Sequence, residues 1–266
     1  MPDKSDLIDS LKQAVVRDGS LIHVHSSLSS FGHFEGGAQA VIEALEETVS
    51  PDGTLSMPAL NLVEWDKRRE TWDIVNTPST VGRITEVFRT QPGTLRSDHY
   101  SHSCCVRGKL AVEMTRNHTG GGPRISAWGA NAFGPESPWQ KLYDHSAIII
   151  YLGVDMQCGT IAHLIESLLC EDAVKSVPLE RARALRDRIA DGKRGGVWPK
   201  IDRMKLQGEM EARGLIRHVN CGSCRFLAWQ ARDMVDLAIT VMKQRPEDWF
   251  DPEFIQWYYE CAEASK

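Results

Sequence analysis

Apolar residues at helical spacing open the chain: Leu7, Ile8, Leu11 and Val15 share one face, and Asp18-Gly19 ends the run. Leu21-Ile22-His23-Val24 follows as a short buried-strand pattern. It stops in a loop of small residues, Ser26-Ser27-Leu28-Ser29-Ser30-Phe31-Gly32. Phe34, Ala38, Val41, Ile42 and Leu45 return to helical spacing, and the turn Pro51-Asp52-Gly53 precedes a second strand at Thr54-Leu55-Ser56-Met57. Strand, loop, helix, turn and strand make a βαβ-like unit, which predicts an α/β sheet.

Residues 61–76 are polar around Trp65 and Trp72, show no period, and are expected to form a long loop passing over a site. Thr77-Pro78-Ser79-Thr80 introduces a helix with Val81, Ile84, Val87 and Phe88 on one face, closed by Pro92-Gly93. Residues 147–154 are a continuous apolar run of strand length, and residues 172–200 are charged and glycine-rich, the composition of surface loops. A helix is expected over 203–213, ended by Gly214, then extended chain over 215–219. A last amphipathic helix is expected to carry Phe226, Leu227, Met234, Val235, Ala238, Ile239 and Met242. No repeat and no linker divides the chain, so residues 1–266 are expected to form a single domain.

The segment Thr160-Ile161-Ala162-His163-Leu164-Ile165-Glu166 lies just beyond the apolar strand and can start a helix. Residues at i and i+3 share a helix face, so Glu166 is expected to hold one ring nitrogen of His163 and leave the other free as a general base. The spacing alone also fits a plain helix-surface hydrogen bond. Its place after a strand favours chemistry, because ligands gather at the carboxyl ends of strands in open α/β sheets. In the Ser26–Gly32 loop, small side chains let backbone N–H groups approach a phosphate or a pantetheine arm. The loop matches no nucleotide-binding fingerprint, and an ordinary βα turn is the simpler reading. Arg96, Ser97, Asp98, His99 and His102 cluster beside Cys104-Cys105, but no HExxH and no paired CxxC set accompanies them, so no metal is expected. Cys221-Gly222-Ser223-Cys224 is expected to be a pair of small buried residues at a helix start rather than a redox motif.

A net charge of −5 disfavours nucleic acid as partner and suits a cationic small molecule. No apolar run approaches the roughly 20 residues of a membrane span, and Met1-Pro2-Asp3-Lys4-Ser5-Asp6 has no signal-peptide character, so a cytoplasmic protein without membrane contact is expected. Seven irregularly spaced cysteines do not make a disulfide framework.

Taken together, blocks in order along roughly residues 5–245 resemble the aminoglycoside 3-N-acetyltransferase family. They are residues 24–32, Gly36-Gly37-Ala38, residues 53–58, Trp72-Asp73 to Thr77-Pro78-Ser79, Arg96-Ser97-Asp98-His99, Phe133-Gly134 to Ser137-Pro138, Leu142-Tyr143, Leu152-Gly153-Val154, and Thr160 to Glu166. The resemblance implies a central mixed sheet flanked by helices, with loop-rich excursions. It implies acetyl-CoA as donor and a primary amine as acceptor, most simply the 3-amine of an aminoglycoside and otherwise another amino sugar or amine. His163 is then the base, Glu166 its orienting group and Thr160 an oxyanion donor. Ser26, Ser27, Leu28, Ser29, Thr77, Ser79, Arg96 and Ser97 would hold the pantetheine arm and phosphates, with Arg96 on a phosphate. Glu64, Asp73, Asp98 and His99 would receive the cationic acceptor, in a monomer or a homodimer. Tyr100, Gly159 and Asn131 stand where the family usually has proline, asparagine and an acid, which points to a different amine.

Overall fold

The structure, a computed structural model, describes residues 1–63, 67–190 and 197–266. The chain runs α1 (Lys4–Gln13), β1 (Leu21–Ser26), a 3-10 turn (Leu28–Phe31), α2 (Gly37–Val49), β2 (Thr54–Pro58), α3 (Arg68–Thr71), α4 (Arg83–Thr90), β3 (Leu95–Arg96) and β4 (Cys104–Gly108). It continues through α5 (Ala111–Thr115), α6 (Pro138–Asp144), β5 (Ile148–Leu152), a 3-10 turn (Met156–Cys158), α7 (Ala162–Val174), α8 (Leu179–Ala190) and α9 (Arg203–Ala212). The hairpin β6 (Arg217–Cys221) and β7 (Cys224–Gln230) precedes α10 (Ala231–Gln244) and α11 (Pro252–Ala264).

The seven strands form one mixed sheet in the order β3-β4-β2-β1-β5-β7-β6. Its centre is parallel, with β1 between β2 and β5, and both sides are extended by antiparallel strands. Alternation along β5 shows how the sheet buries both faces. Ile148, Ile150 and Leu152 pack with Ile22, Val24 and the apolar faces of α1, α2 and α4. Ile149 and Tyr151 point the other way, into the core formed with α6, α7, α10 and α11. The result is the expected α/β architecture, a mixed sheet between two helical layers.

After β1 the chain crosses to α2 on one face, and after β5 it crosses to α7 on the other. The carboxyl ends of these adjacent parallel strands therefore feed loops in opposite directions, which opens a crevice between them. The two loops are stitched together at their start, where the Ser27 N–H donates to the Leu152 carbonyl oxygen at 2.9 Å.

Several segments differ from the sequence expectation. Residues 179–190, read as surface loop, form α8, because Ala182, Leu185 and Ile189 at helical spacing are buried beneath a charged outer face. Phe226 and Leu227 belong to β7 rather than to the following helix, so Cys221 and Cys224 face each other across a two-residue hairpin turn instead of opening a helix. The stretch after Asn61 contains the short helix α3, held by Arg68, whose buried guanidinium donates to the Asn61 carbonyl oxygen at 3.1 Å. Among the described residues no helix is long and apolar enough to cross a membrane.

Candidate active site

A cavity of about 410 Å³ opens at the carboxyl ends of β1 and β5. Leu60, Leu62, Val81 and Val154 supply apolar wall, and His25, Ser26, Thr160, His163 and Arg203 supply polar groups. His163 sits in the first turn of α7, where its own N–H donates to the Thr160 carbonyl oxygen at 3.0 Å. The i, i+3 spacing brings Glu166 under the imidazole, and His163 Nδ1 donates to Glu166 Oε2 at 2.7 Å. Glu166 is buried, and the same carboxylate oxygen accepts the Trp198 indole N–H at 2.8 Å. The carboxylate is thus locked by a second donor, the arrangement that fixes a base in one orientation.

The other ring nitrogen is not free. Arg203 Nη2 donates to His163 Nε2 at 3.0 Å, and Nη1 donates to the Gln157 carbonyl oxygen at 2.6 Å. A guanidinium can only donate, so Nε2 must carry a lone pair and Nδ1 the proton. That is the tautomer a general base needs. The ring is walled by Trp128 and Phe133, with centroid distances of 4.5 and 5.7 Å.

Two further polar groups at this end of the sheet lack partners. His25 Nε2 and Ser26 Oγ are buried without a hydrogen-bond partner, and both residues line the cavity. Burial first, and then the charge of Arg203, push His25 down to about 3, so it is neutral at ordinary pH. Cys158 also lines the cavity, but burial and the nearby Asp155 raise its thiol above the usual range, the opposite of an activated nucleophile.

Against that geometry, the model of a family described as aminoglycoside 3-N-acetyltransferase matches residues 23–243. The chain belongs to the aminoglycoside 3-N-acetyltransferase family. It is 30% identical over 227 residues to the aminoglycoside N(3')-acetyltransferase-like protein YokD of Bacillus subtilis, covering 78% of this chain and 77% of that one. It is 25% identical to aminoglycoside N(3)-acetyltransferase VII of Streptomyces paromomycinus, covering 86% and 87%. The fold also matches solved structures: a CoASH complex of AAC-IIIb at TM-score 0.71 and 20% identity, over 91% of this chain and 97% of that one, and YokD from Bacillus subtilis at 0.68 and 24%, over 91% and 94%. The protein is therefore an acetyltransferase of this family.

Placed in the aminoglycoside 3-N-acetyltransferase fold, the expected site residues divide sharply. His163, Glu166, Thr160 and Ser26 come together at the cavity. Ser27 and Ser29 join their hydroxyls at 3.0 Å on the adjoining turn, beside Leu28. Thr77 and Ser79 lie on the neighbouring loop: the Thr77 hydroxyl accepts the Asp73 N–H at 2.7 Å, and the Ser79 hydroxyl is buried without a partner.

Arg96 does not line the cavity. Its guanidinium is spent on the Ser103 hydroxyl at 3.0 Å and on the carbonyl oxygens of Ala59 and Thr77, a clamp that ties the 59–77 segment to β3. Ser97 is fully buried, accepting the Cys104 N–H at 2.9 Å and bonding His118 Nδ1 at 3.0 Å. His99 is buried too, its Nδ1 accepting the backbone N–H groups of Ser101 and His102. Asp98 is turned to Thr119, accepting its N–H and its hydroxyl, and Asp73 closes a turn on the N–H groups of Val75 and Asn76. Neither carboxylate lines the cavity: Asp73 is used in a local turn and Asp98 in holding Thr119, 21 residues on. Glu64 lies outside the described residues.

Sequence reading missed Trp198, Arg203 and His25. An apolar neighbour pattern hides His25 within a strand. Trp198 is joined to Glu166, and Arg203 to His163, by contacts 32 and 40 residues apart in the chain, which no local spacing announces.

The buried histidines carry a stability consequence. Burial holds His99 down at about 2 and His118 at about 4, and His25 behaves alike at about 3. Unfolded, each would take a proton near pH 6.5. Their contribution to stability is therefore fully present above about pH 6.5 and is lost as pH falls toward the folded values, at about 1.4 kcal/mol per pH unit for each histidine. Urea midpoints at about pH 8 and pH 5 should differ strongly, the acid one lower. Equal midpoints would mean these rings are not kept neutral by the fold.

Proposed function

We propose that this acetyltransferase moves the acetyl group of acetyl-CoA directly to a primary amine, with the 3-amine of an aminoglycoside as acceptor and His163 as general base. The observation that carries the reading is the His163–Glu166 pair at the cavity, with the proton held on Nδ1 and the lone pair on Nε2. An ammonium has no lone pair and cannot attack a thioester, so the acceptor reacts as the free amine, and a base must take a further proton from its nitrogen as the C–N bond forms. Glu166 keeps the imidazole aligned and balances the charge it acquires, and Trp198 holds Glu166 in place.

The cavity suits an acyl-thioester arm. Its walls are apolar, and Ser26 Oγ and His25 Nε2 stand unpartnered where the amide and carbonyl groups of such an arm need hydrogen bonds. Ser26 to Ser29, Thr77 and Ser79 are assigned to the arm, and Thr160 to the acetyl carbonyl. The relatives named above, and one solved relative holding CoASH, support the donor. An enzyme that draws on acetyl-CoA is placed in the cytoplasm, as a monomer or a homodimer.

A second reading keeps the chemistry and changes the amine. No carboxylate among the described residues lines the cavity, whereas Arg203 does, and a polycation gains little there. Release of CoA thiol from acetyl-CoA across aminoglycosides, simpler amino sugars and small amines tests both. Turnover on deoxystreptamine compounds supports the first reading, and turnover confined to other amines supports the second. Absence of turnover on every amine would remove the acetyl-transfer reading altogether.

A further inference from the structure

Arg203 is the one Lys or Arg side chain among the described residues lining the cavity, and the action of the base leaves it unexplained. It stands at the first position of α9, and its two hydrogen-bond acceptors, His163 Nε2 and the Gln157 carbonyl oxygen, are both uncharged. Among the described residues no carboxylate pairs with this partly buried guanidinium. Its field already reaches the next strand, where it helps to keep His25 neutral.

The missing anion is one that the reaction itself makes. We propose that Arg203 is a catalytic residue that stabilises the oxyanion formed when the amine attacks the acetyl thioester, an assignment that rests on the acetyl-transfer reading above. The CoA phosphates are a poor alternative, because they lie a pantetheine arm away from the carbon that reacts, whereas Arg203 touches the base. A reacting amine must sit about 3 Å from Nε2 and about 3–3.5 Å from the carbonyl carbon. At 3.0 Å from Nε2, the guanidinium now occupies the place of that amine. Its bond to Gln157 gives it a tether when the amine displaces it.

The exchange is coupled to proton transfer. When the amine N–H takes the Nε2 lone pair, Arg203 loses that acceptor. As the C–N bond forms, the carbonyl π pair moves onto oxygen and the amine proton passes to Nε2, so the guanidinium, already displaced from Nε2 by the amine, meets an oxygen that has become anionic. Collapse restores the C=O bond and breaks C–S, with the pair going to sulfur, and the Nε2 proton neutralises the thiolate. Products are the amide and CoA thiol, with His163 again neutral. Stabilisation that arises only as charge develops raises kcat rather than substrate affinity.

The test is steady-state kinetics of Arg203→Ala and Arg203→Lys on the best amine found for the unmodified enzyme. Arg203→Ala should lose about a hundred- to a thousandfold in kcat with the acetyl-CoA KM little changed. Added guanidinium ion should restore part of that rate, and Arg203→Lys should retain more than Arg203→Ala. A plugging role for Arg203 predicts the opposite sign, because its removal would uncover the base. An unchanged or raised kcat in Arg203→Ala therefore overturns the proposal, as does a loss confined to KM or one that guanidinium fails to relieve. If the unmodified enzyme turns over no amine, the acetyl-transfer reading falls first and the oxyanion role falls with it.

Discussion

His163→Ala is expected to lower kcat by about a hundred- to ten-thousandfold, the range that a positioned general base contributes. The imidazole is the group in the cavity whose proton position is set on both sides. Glu166 holds the Nδ1 proton at 2.7 Å, and Arg203 reports the lone pair on Nε2 at 3.0 Å. Alanine removes the proton acceptor and leaves Glu166 buried with only Trp198 as its donor. Binding of acetyl-CoA should survive, because the residues assigned to the pantetheine arm lie on the loops after β1 and before α4. Thiol release and equilibrium binding of CoA, measured side by side on the variant, separate the two effects. Turnover within a few-fold of the unmodified enzyme would take the base role away from His163.

Trp139→Ala is expected to cost about 3–5 kcal/mol of folding stability, the usual range for emptying a buried tryptophan site. Trp139 is fully buried on α6, and its ring packs edge-on against His23 at 5.1 Å and near Phe133 at 5.9 Å. Its indole N–H donates to the His102 carbonyl oxygen at 2.9 Å, so the substitution also strands a buried acceptor. That loss is a large share of the ~5–15 kcal/mol that stabilises a typical domain. The effect should extend to catalysis, since Phe133 and His102 both flank the His163 ring. Urea unfolding gives the stability change directly. A loss under about 1 kcal/mol would show that the neighbouring helices close over the vacated space.

The most legible part of the site is the part built from neighbours in sequence. His163 and Glu166 meet because three residues of α-helix bring them to one face, a distance set by helix geometry. Ser26 was named only through the family resemblance, since its loop by itself read as an ordinary βα turn, and the tertiary structure places it on the cavity wall. Arg96, Ser97, Asp98 and His99 were misleading despite their rich chemistry. The side chains of Arg96, Ser97 and Asp98 are instead used on partners 7 to 21 residues on, Ser103, His118 and Thr119, which local spacing does not reveal. The charged segment over residues 179–190 misled in the opposite sense, since its few apolar positions sufficed to seat a helix on the core.

Local sequence determined the elements around the parallel centre, the α/β class and the His163–Glu166 pairing, because each depends on periodicity or on contacts within one helical turn. The tertiary structure decided which cations and donors meet that pair. Arg203 and Trp198 reach His163 and Glu166 only through the tertiary fold, which joins residues 40 and 32 positions apart. Such contacts are selected by packing of the whole core, and no short pattern in the chain encodes them.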